Sequence, residues 1–252
     1  MTTVSVVIPV KDDSELLDRC LRALAEQSRP PDEIIVVDNN SADDSAACAR
    51  RHGATVIAET MAGIPAASAT GYDYASGDII ARLDADCFPP TDWLQRIEAS
   101  FAERADIVAV TNGAHFIDGP PRLRTVAALL YLGAYFTTVS LALGHTPLFG
   151  SNFAMRRTAW QAVRLEVHRT DDMVHDDIDL SFHLGPDRVI RRDRRVGMGI
   201  SMRPLSDGKG RTRLVRGFRS ITIHWPRELP WLRMFRGWRD RGNASALKAT
   251  GV

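Results

Sequence analysis

Residues 33–41 read Glu33-Ile34-Ile35-Val36-Val37-Asp38-Asn39-Asn40-Ser41. A β-branched apolar run bounded by charge on one side and turn-forming residues on the other predicts a short buried strand that delivers a carboxylate straight into a loop. Working outward, Val4–Val10 is a second continuous apolar run, and between the two Leu16, Leu17, Cys20, Leu21 and Leu24 recur at helical spacing over about 13–27. Strand, helix and strand in this order make the βαβ unit of an α/β protein, a parallel sheet with helices on its faces. Downstream, Ser41 with Asp44 predicts a capping box opening a helix to about His52. Strands are expected at 55–58, 78–83, 106–110, 113–118, 188–191 and 197–201, and helices at 64–75, 92–103, 211–220 and 229–241. Sheets of this class bind ligands at the carboxyl ends of their strands. There the second strand presents Asp38, and the fourth runs into Leu83-Asp84-Ala85-Asp86, so both set carboxylates on one rim.

Composition narrows the function. With 252 residues, 44% hydrophobic and 25% charged, the chain has the balance of a globular protein and buries a core without disulfides. Its formal net charge of +1 hides an asymmetry: residues 1–186 hold 15 basic and 26 acidic side chains, a net of −11, whereas 187–252 hold 17 basic and 5 acidic, +12. Cys20, Cys48 and Cys87 are widely and irregularly spaced, which fits a reducing, cytoplasmic setting better than a disulfide framework. The N-terminus lacks the basic and long apolar regions of a secretory signal. No Gly-rich dinucleotide loop follows the first strand and no GxxxxGK[ST] occurs, which argues against a dehydrogenase or a P-loop ATPase. Two aspartates one residue apart after a buried strand can instead put one carboxylate on Mg2+ or Mn2+ and the other on a neighbouring ligand group.

Several blocks together are more specific. Ser5 to Val10, Glu33 to Ser41 with Asp43, Ala75-Ser76-Gly77-Asp78, Leu83 to Asp86 with Pro89-Pro90 and Trp93-Leu94, Gly150-Ser151-Asn152-Phe153-Ala154-Met155-Arg156-Arg157, and His175-Asp176-Asp177-Ile178-Asp179-Leu180 follow one another in order. Over about residues 4–185 this series resembles the family 2 glycosyltransferases. The resemblance implies a GT-A fold, with a Rossmann-like, mostly parallel central sheet flanked by helices, and an inverting transfer of a sugar from a nucleotide diphosphate sugar to a hydroxyl acceptor. It places Pro9, Asp38, Asp84 and Asp86 at the donor, Asp38 towards the base, Asp84 towards the ribose or sugar, and Asp86 on the metal that bridges the diphosphate. It makes Asp177 the catalytic base, with Asp179 as the alternative, and has Asp176, Asp179 and Asn152 orienting the base or the acceptor. Inversion needs such a carboxylate opposite the leaving group to take the acceptor's proton. Ala67-Ser68-Ala69-Thr70-Gly71 departs from the family's Ala-Arg-Asn-x-Gly, which leaves the nucleotide and sugar open. The last glutamine is Gln161, so the QxxRW block of processive synthases is absent and a single transfer is expected. His183 and His224 are candidates to join the metal at Asp86, though a lone histidine is more often structural.

The resemblance divides the chain into a catalytic domain over 1–205, with a donor half to about 110 and an acceptor half beyond, and a basic, aromatic C-terminal extension over 206–252. Residues 125–155 contain no Asp, Glu, Lys or Arg. A single membrane crossing by 126–143 would put Asp86 and Asp177 on opposite sides, so this run is expected to be core, an acceptor-site lining or an interfacial helix. As an acceptor-site lining it would suit an acceptor with a lipid-linked or other apolar portion, while a buried helix accounts for the composition as well. In the extension, Arg211, Arg213, Arg216, Arg219, Arg227, Arg233, Arg236, Arg239 and Arg241 are interleaved with Phe218, Trp225, Trp231, Phe235 and Trp238. This pattern suits an anionic membrane surface, peripherally bound, or a solvated basic face; no groove-reading motif points to nucleic acid. Arg211 or Arg213 is also expected to reach the donor diphosphate from the loop Ser206 to Gly210. Two rivals remain. A sugar nucleotidyltransferase would need a Gly-rich, Arg-containing loop after the first strand, where this chain has Pro9-Val10-Lys11-Asp12-Asp13. A catalytically silent docking protein would not need Asp84, Asp86 and Asp177.

Overall fold

The computed structural model describes residues 2–208 and 210–236. Its strands are β1 (Val4–Val10), β2 (Glu33–Asp38), β3 (Thr55–Ala58), β4 (Ile79–Arg82), β5 (Ile107–Phe116), β6 (Phe153–Arg156) and β7 (Val189–Ile200), and they form one sheet in the order β3-β2-β1-β4-β6-β5-β7. Only β6 runs antiparallel, against β4 and β5. Strand order reverses between β1 and β4, the position at which a doubly wound sheet opens a crevice at its carboxyl edge.

The helices are α1 (Ser14–Ala25), α2 (Ser45–Arg51), α3 (Ile64–Tyr74), α4 (Trp93–Glu103), α5 (Pro121–Leu143), α6 (Arg157–Val163), α7 (Asp176–Leu184), α8 (Arg203–Ser206) and α9 (Gly210–Thr222). One face of the sheet is covered by α1, α2, α4 and the first half of α5, the other by α3, α6 and α7. Leu17, Leu21 and Leu24 of α1 are buried against β1, and each contributes up to about 1.5–3 kcal/mol. On the opposite face Gly71 lets α3 lie close on the sheet: a Cβ there would sit 2.4 Å from Val7 Cγ1 and 2.9 Å from Val37 Cγ2.

Three expectations about local structure change. The helix expected from Ser41 begins at Ser45, because Ser41 is turned into the loop, where its N–H donates to Asp38 Oδ1 (3.1 Å) and its Oγ accepts from Asp12 N (3.1 Å). Asp43 does the capping instead, accepting from the N–H groups of Ser45 (3.0 Å) and Ser14 (2.9 Å). The strands expected at 106–110 and 113–118 are one, β5, whose register with β7 shifts between Asn112 and Ala114. Likewise 188–191 and 197–201 join in β7 across Arg191 to Arg195; a charged run interrupts the apolar pattern but suits an edge strand, which it protects from pairing.

Helix α5 is long and apolar enough to cross a membrane, yet it packs Ala128, Leu132 and Phe136 into the sheet's core, and Val139 and Leu143 against Ile178 and Phe182 of α7. Leu129 and Leu130 on its outer side are about 70% exposed. The basic extension is not uniformly a surface. Arg233 is buried and donates to Leu143 O (2.7 Å), Phe182 O (3.2 Å) and His145 Nε2 (3.2 Å), which locks the chain near 233 under the end of α5. Trp238, Arg239 and Arg241 lie outside the described residues, as does Lys209 of the expected loop.

The Arg233 contact makes stability depend on pH. Burial, with Arg233 beside it, pushes His145 down to about 4 from an ordinary 6.5, while its other ring nitrogen is hydrogen-bonded to Thr146 O (2.9 Å). The unfolded chain therefore takes up a proton between pH 6.5 and 4 that the folded chain refuses, so stability falls as pH drops through that window. Between pH 7 and 5 the loss attributable to His145 is about 2 kcal/mol. In denaturation curves at the two pH values, His145→Gln should show a smaller acid loss than the parent; an equal loss would mean that His145 does not carry the effect.

Candidate active site

The carboxyl ends of β1 and β2 lie side by side, with Pro9 paired to Val37 and Val10 to Asp38, and Asn39 N donates to Val10 O (2.9 Å). Pro9 is buried within β1. Asp38 ends β2 and holds its loop through Ser41 N, and Asn40 adopts a left-handed φ of 56°. The buried Asn39 amide ties this loop to the next, donating to Glu59 O (3.0 Å) and Met61 O (2.6 Å) and accepting from Gly63 N (2.8 Å). This places Asp38 at the rim of the crevice.

Across the switch point, Asp84 and Asp86 follow β4. Their carboxylates and the buried Cys87 thiol offer ligand atoms within 4.8 Å of one another. Burial and then the neighbouring Asp84 push the Asp86 carboxyl up, although Arg203 opposes this. Two carboxylates crowded in this way are a donor set of hard oxygens with negative charge to spare, which fits Mg2+ or Mn2+. Arg203, at the start of α8, bonds Asp86 Oδ2 (2.8 Å) and both carboxylate oxygens of Asp13 (2.8 and 3.0 Å). Of the two arginines that the sequence pointed to for the donor diphosphate, Arg213 pairs with Asp207, while Arg203 reaches Asp86.

A buried cation links the two acidic blocks. Arg82, the last residue of β4, is 2% exposed; its Nη2 lies 2.9 Å from Asp84 Oδ1 and 3.5 Å from Asp176 Oδ2. Burial alone would lower its pKa, but Asp176 and then Asp84 raise it above the ordinary arginine value. Gly150 leaves the guanidinium its space, since a Cβ there would meet Arg82 Nη1 at 2.4 Å. Beside it, Asp177 Oδ2 accepts from Gly150 N (2.8 Å) and faces the Tyr135 hydroxyl (3.0 Å), which also reaches Leu148 O (2.5 Å). Asp177 Oδ1 accepts from Ile178 N (2.8 Å). Ser151 Oγ donates to Asp84 Oδ2 (2.7 Å), so the segment before β6 touches both blocks.

Four expected participants make other contacts. Asn152 is fully buried: its amide accepts from Trp93 Nε1 (2.9 Å) and donates to Gly113 O (2.8 Å), tying α4 to β5 behind Ser151. Asp179, two residues beyond Asp177, turns to the other side of α7 and is surrounded by His168, His183 and His224. These contacts hold its carboxyl well below the usual range despite burial. His183 and His224 therefore converge on Asp179, not on Asp86 as their candidacy for that metal required. Arg82, Tyr135 and Arg203 were missed in the sequence. A lone arginine in the apolar run Ile79-Ile80-Ala81-Arg82-Leu83 was the available signal for the first; nothing local marks the other two.

Comparison with known proteins agrees with this fold. The model of the family described as glycosyl transferase family 2 matches residues 5–164. A curated relative, the glycosyltransferase AglE of Haloferax volcanii, is 39% identical over 101 residues, which make up 37% of this chain and 33% of AglE; the match spans a third of that relative's length. Among solved structures, the mannosyltransferase PcManGT of Pyrobaculum calidifontis, in complex with GDP-Man and Mn2+, superposes with a TM-score of 0.68 at 22% identity, covering 98% of this chain and 74% of that one. Glucosyl-3-phosphoglycerate synthase of Mycobacterium tuberculosis, in complex with Mg2+ and UDP, gives 0.61 at 19%, covering 85% and 76%. The fold is the mostly parallel GT-A sheet with its flanking helices.

Proposed function

This chain belongs to glycosyl transferase family 2, and we propose that it transfers a sugar, with inversion and in single steps, from a nucleoside diphosphate sugar to a hydroxyl acceptor. The observation that carries the proposal is the Arg82 bridge, which sets Asp84 and, through Asp176, the first turn of α7 around one guanidinium at the carboxyl edge of the sheet. In this reading Asp38 meets the nucleotide base and Asp84 the ribose or sugar. Asp86 holds Mg2+ or Mn2+, which when bound neutralises the charge that develops on the leaving diphosphate. Arg203 pairs with the phosphates. Asp177 accepts the acceptor's proton at Oδ1, the oxygen that carries fewer hydrogen bonds, while Oδ2 is held by Gly150 and faces Tyr135.

As the acceptor side we propose a groove of about 760 Å3 between β5, β7 and α5, lined by Phe116, Ile117, Leu129 and Leu132 together with Arg124, Arg192 and Arg194. Apolar walls with three arginines suit a hydroxyl acceptor that joins an apolar body to an anionic group. The exposed leucines of α5 and the free, buried Cys20, Cys48 and Cys87 fit an enzyme held peripherally on a membrane from the reducing cytoplasmic side.

The test is a thermal-shift screen of nucleoside diphosphate sugars with Mn2+ or Mg2+. The cognate donor at about 100 times its Kd is expected to add about 2.7 kcal/mol of stability, and Asp86→Ala should abolish the metal-dependent part. If no nucleotide sugar stabilises the protein with either metal, the proposal fails in favour of a silent docking protein; release of pyrophosphate from a nucleoside triphosphate and a sugar phosphate would favour a nucleotidyltransferase.

A further inference from the structure

We propose that His168, Asp179, His183 and His224 form a second divalent-metal site, of the zinc type, on the side of α7 away from Asp177. Each of the four offers one ligand atom, and these atoms all lie within 4.8 Å of one another. Three imidazole nitrogens converge on a single oxygen, Asp179 Oδ1: His168 Nδ1 at 2.7 Å, His224 Nε2 at 3.0 Å and His183 Nε2 at 3.5 Å. The three rings surround that point, with centroids 5.1–5.7 Å apart.

Hydrogen bonding alone accounts poorly for this arrangement. The nitrogens His183 Nε2 and His224 Nε2 are both buried, and neither has a hydrogen-bond partner in acceptable geometry, although both face the same carboxylate. A buried nitrogen left in that condition is destabilising, and two of them aimed at one focus are arranged as ligands of a cation. Zinc bonds of about 2.0–2.2 Å in a tetrahedron put neighbouring ligand atoms roughly 3.4 Å apart, and the three distances to Asp179 Oδ1 lie around that value.

The surroundings orient the ligands as a metal site requires. Asp179 Oδ2 accepts from His168 N (2.7 Å), which leaves Oδ1 to face the imidazoles. His183 Nδ1 faces Glu166 Oε2 at 3.4 Å, and a carboxylate on the outer nitrogen holds the inner one as an electron-pair donor. The His224 ring stacks on Phe182, with centroids 4.0 Å apart. Asp179 and His183 stand four residues apart on one face of α7. His168 comes from the segment between α6 and α7, and His224 from the turn after α9.

The donor chemistry separates this site from the one at Asp86. Three imidazoles and one carboxylate favour Zn2+ over Mg2+ or Mn2+, which prefer oxygen. Four protein ligands around one ion leave no open position, as in structural zinc sites. The ion would join two separate segments to α7, the helix whose first turn carries Asp176 and Asp177. Its role is to position that helix and to anchor the chain beyond α9 against it.

The test uses the full chain, stripped of metal with a chelator and titrated with Co2+ and Zn2+. Parent protein should bind about one equivalent, with the visible d–d spectrum of tetrahedral cobalt, and zinc should displace the cobalt. Asp86→Ala should retain that spectrum. His183→Ala and His224→Ala, checked for folding by circular dichroism, should each weaken zinc binding by more than about 100-fold, beyond the loss typical of an outer partner; Glu166→Gln should weaken it by about 10–100-fold. A parent protein with no tetrahedral cobalt spectrum, which needs no variant to fold, would overturn the proposal and leave a hydrogen-bonded histidine cluster. So would a spectrum that is lost in Asp86→Ala but kept in the histidine variants.

Discussion

Asp177→Asn is expected to lower the rate of sugar transfer by about 10²–10⁴-fold, the contribution of a positioned general base, while donor binding is kept. The substitution retains the shape of the side chain, and its amide oxygen can still accept from Gly150 N. Only one oxygen remains, so the Ile178 N–H facing Oδ1 is left opposite a donor, at about 1–3 kcal/mol of stability. The protein therefore unfolds at lower temperature but retains its fold, and donor-induced thermal stabilisation shows whether the crevice is intact. Asp176→Asn is the informative partner, because Asp176 stands next to Asp177 and faces Arg82. If Asp176→Asn abolished turnover and Asp177→Asn spared it, the base would be Asp176, and Asp177 would serve only to hold Gly150 and α7.

Arg82→Met is expected to destabilise the protein by about 3 kcal/mol, which for a chain of this size lowers Tm by roughly 6–12 °C. Methionine fills much of the same volume within β4, so the loss comes from charge and not from a cavity. Arg82 is almost wholly buried and faces carboxylates of both acidic blocks. Without it Asp84 and Asp176 are left partly buried with one cation fewer between them, and removing one partner of a buried pair costs far more than the pair contributes. Asp84 is 31% exposed on its side chain, and water screens part of the penalty, which keeps the figure at the low end of the range for buried pairs. Equal stability of parent and variant in urea denaturation would show that Arg82 is not the link between the blocks. Arg82→Lys should recover only part of the loss, since an ammonium cannot match the two directions of a guanidinium.

Most of the sheet was legible in the sequence because its strands are short, β-branched and buried on both faces, a pattern that depends on neighbours along the chain. β1, β2, β3 and β4 fall within a residue of their expected limits. The joins within β5 and β7 were not legible: there pairing with a partner strand overrides an irregular local pattern, and in β7 a run of arginines hides the strand. Gly150, Asp176 and Asp177 could be named as parts of a resemblance, but what they touch could not. Asp179 shows the limit most clearly. It lies two residues from Asp177, yet a rotation of about 200° along the helix sends it to the opposite side and into a set of histidines drawn from positions 168 to 224.

The parallel βαβ beginning and the two carboxylates after the fourth strand were determined by the sequence itself, since each follows from hydrophobic periodicity over a few residues, and the order of the acidic blocks was legible through the family resemblance. Tertiary structure alone decided that Arg82 joins the blocks, that Arg203 closes on Asp86, that Tyr135 of an apolar helix reaches Asp177, and that three histidines meet at Asp179. The physical reason is the same in each case. Propensity and periodicity act between residues that are near in sequence, whereas charge pairing and ligand convergence act between residues near in space, and packing the two faces of the sheet is what brings those residues together.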